Sequence, residues 1–402
     1  MNILFLTLLD ITNIDNYGLY EDLLRELYKN GHEVYVVSPS EKKQGLETHV
    51  INKHNCKILK VKTGNIQKTN IIEKGISTIL LEKQFKIAIK KEFSNIKFDL
   101  IFYSTPPITL VNAINYVKER DKARTYLLLK DIFPQNAVDL GMISKTGLKG
   151  LIYKLFRRKE KKLYQISDRI GCMSQANVNY VLKHNPEINK NKVEIFPNCI
   201  EPRDMSISDK EKRLIRNKYG LPIDKTIFVY GGNLGKPQGI DFLIKCLRSQ
   251  KNNLKSFFLI IGDGTEYSKL EKFMNEQKQE NVKLLRRLPK EDYDKMIGSC
   301  DVGMIFLDYR FTIPNFPSRL LSYMQAKLPI LAVTDTNSDI GEVIEGGKFG
   351  WWCESKNVEN FNLTINKIFT EDFIDKGKNA YDYLLNCYSV NKECKKILNG
   401  GK

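Results

Sequence analysis

Two positively charged side chains lie in segments suited to holding a phosphate group. Lys236 belongs to the glycine-rich run of residues 231–239, and Arg319 follows Pro317 and Ser318 at the predicted start of a short helix. Glycines let backbone amides approach an anion, and a helix start offers unpaired N–H groups and partial positive charge. We therefore predict a phosphate or diphosphate site at these segments. The alternative is that each segment is an ordinary turn before a helix.

The elements around these segments indicate a doubly wound α/β domain. Residues 226–230 predict a strand, the glycine-rich run follows it, and residues 240–247 predict a helix. Further strands are predicted at 257–261, 282–285, 301–306 and 328–333. Ligands of such sheets bind beyond the carboxyl ends of the strands, so we expect the loops after these strands to share one edge. A Gly-x-Gly-x-x-Gly dinucleotide fingerprint fails at Asn233, which argues against a nicotinamide enzyme.

The first half of the chain predicts a second domain of the same kind. Strands are predicted at 3–9, 32–37, 98–103 and 125–129, with a polar loop at 10–18 and a helix up to Asn30. Asp131 comes directly after a buried strand and before a turn. Its carboxylate is therefore the one best placed to touch a substrate hydroxyl. The alternative role for Asp131 is a helix cap.

These motifs, taken in order, resemble those of family 4 retaining glycosyltransferases, in the subgroup that builds bacterial surface polysaccharides and includes N-acetyl-L-fucosamine transferases. The resemblance is carried by Pro-Ser-Arg-Leu-Leu at 317–321 followed by Tyr-Met, by Gly-Asn-Leu-Gly at 232–235, and by Lys-Asp-Ile-Phe-Pro at 130–134. It implies a GT-B architecture, with two doubly wound Rossmann-like domains facing across a cleft. The expected parts are an acceptor-binding domain at 1–199, a nucleotide-sugar-binding domain at 204–380, and a helix at 381–402 crossing back to the first domain.

The resemblance also implies an activity and a set of site residues. The expected enzyme is a retaining, metal-independent hexosyltransferase that uses a nucleoside-diphosphate sugar, with UDP as the expected nucleotide and no cofactor. Asp131, Lys236 and Arg319 are the expected catalytic residues. The expected donor-binding residues are Gly18, Gly232, Asn233, Gln238, Gly262, Asp263, Arg286, Arg287, Leu288, Pro317, Ser318, Leu320 and Ser322, and the expected acceptor-binding residues are Asn16, Tyr17, Pro134 and Gln135.

In its predicted donor-binding segments the chain departs from the family pattern at four positions. Ser322 and Pro314 stand where the family has the two glutamates of its Glu-x7-Glu motif, the later of which binds the nucleotide ribose. Asn233 and Gln238 stand where the family usually has an arginine and a lysine on the donor diphosphate. The polysaccharide subgroup commonly shows this variant of the glycine-rich loop.

No metal site is expected from the sequence. Asp292 and Asp294 form an Asp-x-Asp pair, but residues two apart on a helix do not face the same way. The histidines at 32, 49, 54 and 184 lack metal-ligand spacing. The eight cysteines form no Cys-x-x-Cys pair, and we interpret them as reduced thiols.

The net charge of +17 attracts phosphates of any kind, including lipid headgroups and nucleic acid. Residues 145–162 predict an amphipathic helix in which apolar positions 148, 151, 152, 155 and 156 are surrounded by eight basic residues. Such a helix can lie on an anionic membrane. The alternative is that its apolar stripe packs on the sheet while its cations face water.

The N-terminus suits a buried strand and not a signal peptide, and no apolar run is long enough to span a bilayer. We expect a cytoplasmic protein, peripheral on the inner face of the membrane, whose acceptor is a polyprenyl-diphosphate-linked saccharide. Two alternatives stay open. A UDP-sugar epimerase of the same fold would convert the UDP-sugar alone, and a non-catalytic basic protein would bind nucleic acid with steep salt dependence. Aromatic-flanked basic stretches are absent, so we expect no nucleic-acid partner.

Overall fold

The computed structural model describes residues 1–53, 56–66, 71–371 and 374–398, without the side chains of 71, 72, 74–76, 148 and 149. His54 and the side chains of Leu148 and Lys149, which entered the sequence interpretation, thus lie outside the described part. The chain forms two compact units. The first comprises Met1–Ile200 with Val390–Lys402, and the second comprises Glu201–Ser389.

The first unit is built on an eight-stranded sheet in the order β3-β4-β2-β1-β5-β6-β7-β8. Every neighbouring pair is parallel except β3 and β4. The strands are β1 (Asn2–Leu6), β2 (Glu33–Glu41), β3 (His49–Lys53), β4 (Cys56–Thr63), β5 (Leu100–Ser104), β6 (Arg124–Leu129), β7 (Arg169–Cys172) and β8 (Val193–Ile195). The helices are α1 (Leu19–Lys29), α2 (Ile71–Glu92), α3 (Val111–Asp121), α4 (Gln135–Asp139), α5 (Gly147–Ile166) and α6 (Gln175–His184).

The second unit is built on a six-stranded parallel sheet in the order β11-β10-β9-β12-β13-β14. Its strands are β9 (Thr226–Asn233), β10 (Ser256–Asp263), β11 (Val282–Leu285), β12 (Val302–Phe306), β13 (Ile330–Thr334) and β14 (Gly350–Glu354). Its helices are α7 (Asp209–Lys218), α8 (Ile240–Ser249), α9 (Tyr267–Gln277), α10 (Lys290–Gly298), α11 (Arg319–Gln325), α12 (Ile340–Gly346), α13 (Val358–Ile368) and α14 (Ile374–Cys387).

The two parallel sheets confirm the predicted α/β class. Central strands such as β1, β9 and β10 are almost continuous apolar runs because helices cover both faces of a parallel sheet. The sequence interpretation did not predict the β3–β4 hairpin or α2. Among the described residues, no helix is both long and apolar enough to cross a membrane. All eight cysteines are unbridged.

The C-terminal segment differs from the single crossing helix expected over 381–402. Two helices occupy it, because α14 ends at Cys387 and α15 (Val390–Leu398) begins after a short break. α14 belongs to the second unit and α15 to the first. In the first unit the backbone N–H of Val390 donates to Ile200 O at 2.9 Å, and Asn391 Nδ2 donates to Glu26 Oε1 of α1 at 3.0 Å.

A close contact between β12 and α11 gives a test of how the second unit is packed. A Cβ on Gly303 of β12 would lie 2.4 Å from the buried ring of Tyr323, whereas one on Gly346 would meet nothing within 4 Å. We expect Gly303→Ala to lower the free energy of unfolding by about 1–3 kcal/mol, since the rigid ring must shift. Urea unfolding followed by circular dichroism measures the change.

The matched control is Gly346→Ala, which places alanine in helix α12 and should leave stability unchanged or slightly raised. Equal stability of the Gly303→Ala protein and the unchanged protein would contradict the packing described here.

Candidate functional site

The loops after β9 and β10 lie backbone against backbone. A Cβ on Gly262 would lie 1.9 Å from the carbonyl oxygen of Gly232, and one on Gly264 would lie 2.3 Å from that of Leu234. Leu234 N donates to Asp263 O at 2.9 Å and closes the contact. Only glycine permits this approach, so the two loops form one rigid surface beyond the carboxyl ends of the strands.

Side chains of the glycine-rich loop brace the loop itself. Gln238 Oε1 accepts hydrogen bonds from Gly235 N at 3.1 Å and from Asn233 Nδ2 at 3.0 Å. Asn233 and Gln238, both predicted to contact a donor, are therefore partly engaged in fixing the loop. Lys236 is exposed in a short 3-10 turn, and its side chain has neither a hydrogen bond nor an ion pair within the described part of the chain. Its charge is available to a ligand.

Arg319 lies against the end of β9. Its guanidinium carbon is 4.3 Å from the ring centroid of Tyr230, a cation–π contact, and lies 3.5 Å from where a Cβ on Gly232 would be. Its Nη1 atom is buried and has no hydrogen-bond partner among the described residues. A buried guanidinium N–H without an acceptor is costly, so the geometry favours an anionic ligand at this point.

Tyrosine side chains surround the guanidinium. The Tyr323 hydroxyl accepts a hydrogen bond from Gly231 N at 3.0 Å and lies 3.1 Å from Met304 O, which fixes the end of β9. A Cβ on Gly231 would lie 2.2 Å from the Tyr293 hydroxyl. Burial raises the pKa of Tyr293 to about 12, against the opposing effect of Arg319. The phenols therefore remain neutral and leave the charge of Arg319 uncompensated.

The helix that follows Pro317 contributes less than the sequence suggested. α11 has seven residues, and the amides of Leu320 and Leu321 already donate to Pro317 O at 3.3 Å and Ser318 O at 3.1 Å. Leu320 is fully buried in the core, so neither its side chain nor its amide is available to a ligand. Ser318 is exposed, and Ser322 lies half-buried one turn later.

In the segment after β11, one of two neighbouring arginines is bound by other side chains of the same unit. The Arg286 guanidinium lies 3.6 Å from the ring centroid of Tyr267 and forms ion pairs with Asp263 at 3.5 Å and Glu271 at 3.4 Å. Arg286 and Asp263 thus neutralise each other in part. Arg287 is exposed, without a partner in the described ranges, and Leu288 is half-buried.

Asp131 lies in the loop after β6, and both its carboxylate oxygens accept hydrogen bonds from Asn136 Nδ2, at 2.8 and 2.7 Å. The helix-cap alternative is wrong, because α4 begins at Gln135 with Pro134 at its N-cap position. Burial raises the pKa of Asp131 to about 6, although the hydrogen bond from Asn136 opposes this shift. Above pH 6 this carboxyl is therefore mostly ionised and can accept a hydrogen bond from a substrate hydroxyl.

Pro134 and Gln135 line a cavity of about 90 Å³ behind this loop, together with Arg157 and Tyr180. The Gln135 amide donates to Asp139 Oδ1 at 2.7 Å, and Arg157 forms an ion pair with Glu160 at 2.6 Å. Of the two predicted acceptor residues here, Gln135 is therefore engaged with a neighbouring side chain, whereas Pro134 contributes only to the wall of the cavity.

The loop of residues 10–18 is fixed at two points. The buried ammonium of Lys60 binds Asp10 and donates to Ser38 Oγ at 2.8 Å and Pro39 O at 2.7 Å. At the other end, Arg25 Nη1 donates to Ile14 O at 2.6 Å and Asn16 O at 2.9 Å. The side chains of Asn16 and Tyr17 remain exposed on this fixed loop.

Gly18, one of the expected donor-binding residues, is covered by a neighbouring side chain. The Glu21 carboxylate folds over it, since a Cβ there would lie 2.3 Å from Glu21 Oε2. Burial raises the pKa of Glu21. The space beside the Gly18 backbone is thus occupied by the Glu21 side chain.

Asp292 and Asp294 have separate partners on α10. Asp292 lies 4.0 Å from Lys218 Nζ, and Asp294 forms an ion pair with Lys290 at 2.5 Å. Tyr293, between them, faces the Arg319 cluster. No group of metal-ligating side chains occurs in the parts of the chain that the structure describes.

Sequence reasoning missed the partners that hold these groups. The tyrosines around Arg319 come from β9, α10 and α11, and no spacing in the sequence links them. Lys60 lies in β4, and no motif in the sequence points to it. Asn136 was detectable in principle, because an amide five residues after an acid at a turn can bond back to it.

The sequence matches two protein-family models. Residues 20–204 match the one described as Glycosyltransferase Family 4, and residues 211–383 match the one described as Glycosyl transferases group 1. A probable glycosyltransferase, WbjE of Pseudomonas aeruginosa, is 24% identical over 77% of this chain and 75% of its own length. The putative colanic acid biosynthesis glycosyl transferase WcaI of Escherichia coli K12 is 25% identical over 62% of this chain and 60% of its own.

Solved structures share the fold over nearly the whole chain. Sucrose-phosphate synthase of Thermosynechococcus elongatus superposes with a TM-score of 0.76 at 12% identity, covering 99% of this chain and 97% of its own. Anabaena HepE in complex with UDP-glucose superposes with a TM-score of 0.70 at 14% identity, covering 99% of each chain. WaaG, a glycosyltransferase involved in lipopolysaccharide biosynthesis, superposes with a TM-score of 0.68 at 14% identity, covering 99% of this chain and 100% of its own. These similarities confirm the GT-B fold.

The raised pKa of Asp131 predicts a pH-dependent stability difference. Because the folded-state pKa of about 6 lies above the ordinary value of 3.8, the carboxyl favours folding at low pH and loses that contribution as pH rises through 6. We expect Asp131→Asn to gain melting temperature relative to the unchanged protein between pH 4.5 and pH 8, by roughly 2–4 °C. Differential scanning fluorimetry across this range measures the difference.

The control with opposite sign is Asp168→Asn. Burial would raise the pKa of Asp168, but hydrogen bonds from Lys118 and Thr125 lower it overall, so this variant should lose stability above pH 4. A difference between the Asp131→Asn and unchanged proteins that does not vary with pH would contradict the titration assigned to Asp131.

Proposed function

The chain is a glycosyltransferase whose two halves match the family 4 and group 1 models, and we propose that its second unit binds the diphosphate of a UDP-sugar at Arg319. The observation that carries this proposal is the buried Nη1 of Arg319, which lacks an acceptor and lies over the glycine-rich loop. A diphosphate oxygen would accept the hydrogen bond that Nη1 lacks. UDP is our choice of nucleotide because the structurally similar HepE was solved with UDP-glucose.

We propose a retaining transfer without a metal ion. The acceptor oxygen forms a bond to the anomeric carbon on the face from which the diphosphate leaves, the bond from that carbon to the phosphate oxygen breaks, and the acceptor proton passes to the leaving phosphate. Arg319 and the exposed Lys236 stabilise the growing charge on the diphosphate. The two residues take the part that a divalent ion has in other glycosyltransferases.

Asp131 is the proposed acceptor-orienting residue of the first unit. Its carboxylate is fixed by Asn136 and titrates near neutrality, which suits a hydrogen bond from the attacking hydroxyl. The rigid loop of residues 10–18 presents Asn16 and Tyr17 as further contacts to the acceptor. The carboxylate orients the hydroxyl, while the proton itself leaves with the phosphate.

The proposed acceptor is a polyprenyl-diphosphate-linked saccharide in surface polysaccharide synthesis, and the proposed donor sugar is an N-acetylated amino sugar. The names of WcaI and WaaG, which refer to colanic acid and lipopolysaccharide, support the polysaccharide part. Such an acceptor lies in a membrane, so we also propose peripheral attachment to its cytoplasmic face through residues 145–162. Leu151, Ile152 and Leu155 of this segment are exposed rather than packed on the sheet.

The first test removes the proposed diphosphate contacts. Arg319→Ala and Lys236→Ala should each lower kcat/KM for the UDP-sugar by about 100-fold or more, because each removes charge stabilisation at the leaving group. Circular dichroism should show an unchanged fold. Thermal shift with UDP, other nucleoside diphosphates and their sugars would identify the nucleotide, and UDP should stabilise only the protein with an intact site.

Arg248→Ala is the control for a lost arginine, since Arg248 stacks on Phe273 at 5.7 Å and belongs to none of the site loops. Full turnover in both the Arg319 and the Lys236 variants would remove the leaving-group assignment. Conversion of the UDP-sugar to an epimer in the absence of an acceptor would instead favour an epimerase.

The second test separates the two units. Asp131→Asn should lower transfer to the acceptor by about 10²–10⁴-fold while leaving UDP affinity unchanged, because the carboxylate acts on the acceptor alone. Product formation and UDP binding by calorimetry measure the two effects. Unimpaired transfer, or a parallel loss of UDP affinity, would be inconsistent with the role proposed for Asp131.

A further inference from the structure

Two helices of the first unit, α2 and α5, are joined at one point of their length. Glu82 of α2 forms an ion pair with Lys159 of α5 at 2.9 Å. The same carboxylate accepts hydrogen bonds from Asn112, at 2.5 Å from its backbone N–H and 3.0 Å from its side chain, at the start of α3. α2 and α5 both pack against α3, and the Glu82–Lys159 pair links them across its start.

This junction also fixes where the N-terminal parts of the two helices lie. In a parallel sheet each connecting helix begins near the carboxyl ends of the strands. α3 begins at Val111, whereas α2 and α5 each extend roughly 17 Å further toward their own starts, at 1.5 Å per residue over residues 71–81 and 147–158. These segments lie toward the edge that carries Asp131 and the loop of residues 10–18.

Large apolar side chains are exposed on both segments. On α5, Leu151 is 65% exposed, Ile152 47% and Leu155 52%. On α2, Ile79 is 71% exposed and Leu80 47%. All five precede the Glu82–Lys159 pair in their helices. Groups of large exposed apolar residues on two linked helices are unusual on a water-facing surface and indicate an interaction site.

Cations without carboxylate partners accompany these apolar residues. Lys83 follows Leu80 by three residues, and Lys154 and Arg158 flank Leu155; all three are exposed. None of them forms an ion pair in the described ranges, whereas the neighbouring Arg157, Lys159 and Lys161 are paired with acids. The surface therefore combines uncompensated positive charge with apolar side chains. An anionic phospholipid bilayer complements both properties.

We propose that α2 and α5 form one docking surface for an anionic membrane, in which α2 contributes Ile79, Leu80 and Lys83 beside the basic helix α5. The proposal deepens the membrane attachment proposed above and rests on the proposed function only for the identity of the acceptor. Docking through both helices places the edge bearing Asp131 toward the lipid, where a lipid-linked saccharide is found. A single helix would leave that edge free to rotate about the helix axis.

Vesicle sedimentation of the full chain tests the proposal. The protein should bind vesicles of phosphatidylglycerol and phosphatidylcholine but not of phosphatidylcholine alone. The α2 variant Ile79→Ser/Leu80→Ser should lower the partition coefficient by about tenfold or more, as should the α5 variant Leu151→Ser/Leu155→Ser. The charge variant Lys83→Glu should weaken binding to the anionic vesicles.

Leu254→Ser/Leu363→Ser is the matched control, because these exposed leucines of the second unit should not touch lipid. Full vesicle binding by the α2 variant alongside loss in the α5 variant would overturn the two-helix surface. The proposal would also be overturned if the unchanged chain did not bind vesicles, or if it bound neutral and anionic vesicles equally. A third contrary result would be a dimer of the unchanged chain in sedimentation velocity that is absent from the α2 variant, because these residues would then form a contact between two copies of the chain.

Thermal stabilisation by UDP keeps this test separate from the proposed function. All of these variants should retain the response to UDP, since none lies in the second-unit site. A chain that binds vesicles as described but never responds to a nucleotide would contradict the proposed donor and leave the docking surface in place.

Discussion

The structure of the candidate donor site depends on one uncompensated cation. Arg319 stacks on Tyr230 with Nη1 buried and without an acceptor. Burying a charged group without a partner is unfavourable, so a chain that keeps such an arrangement has a reason outside its own stability. The neutral tyrosines around the guanidinium allow close approach of an anion without competing for it. A carboxylate in their place would have satisfied Arg319 and closed the site.

The surrounding elements serve to keep this cation in position. Gly303 of β12 leaves room for the Tyr323 ring, whose hydroxyl holds Gly231 at the end of β9. Gly262 and Gly264 let the loop after β10 press against the glycine-rich loop. Backbone contacts between the two loops therefore fix the donor surface, and it needs little rearrangement to receive a ligand. Pre-organisation of this kind is what electrostatic stabilisation of a leaving group requires.

Much of this arrangement was predictable from sequence because it follows from local patterns. Continuous apolar runs gave the strands, glycine-rich turns gave the loops at their ends, and Pro317 with Arg319 marked the start of α11. The rest depends on contacts between distant residues. Lys60 under Asp10 and Tyr293 beside Arg319 each join elements that no spacing connects. α2 escaped prediction because apolar and charged residues alternate around residues 71–92 instead of separating onto two faces of the helix, and the exposure of Ile79 and Leu80 is visible only once the helix is placed.

The chain distributes its recognition over separate surfaces: Arg319 and Lys236 in one unit, and Asp131 with the α2–α5 face in the other. The central claim concerns Arg319 and is tested most directly by a crystal structure of the chain with UDP. The account predicts a phosphate oxygen at about 2.7–2.9 Å from Nη1 of Arg319, with the guanidinium still over Tyr230. UDP bound elsewhere, or Nη1 still without an acceptor in the complex, would contradict it.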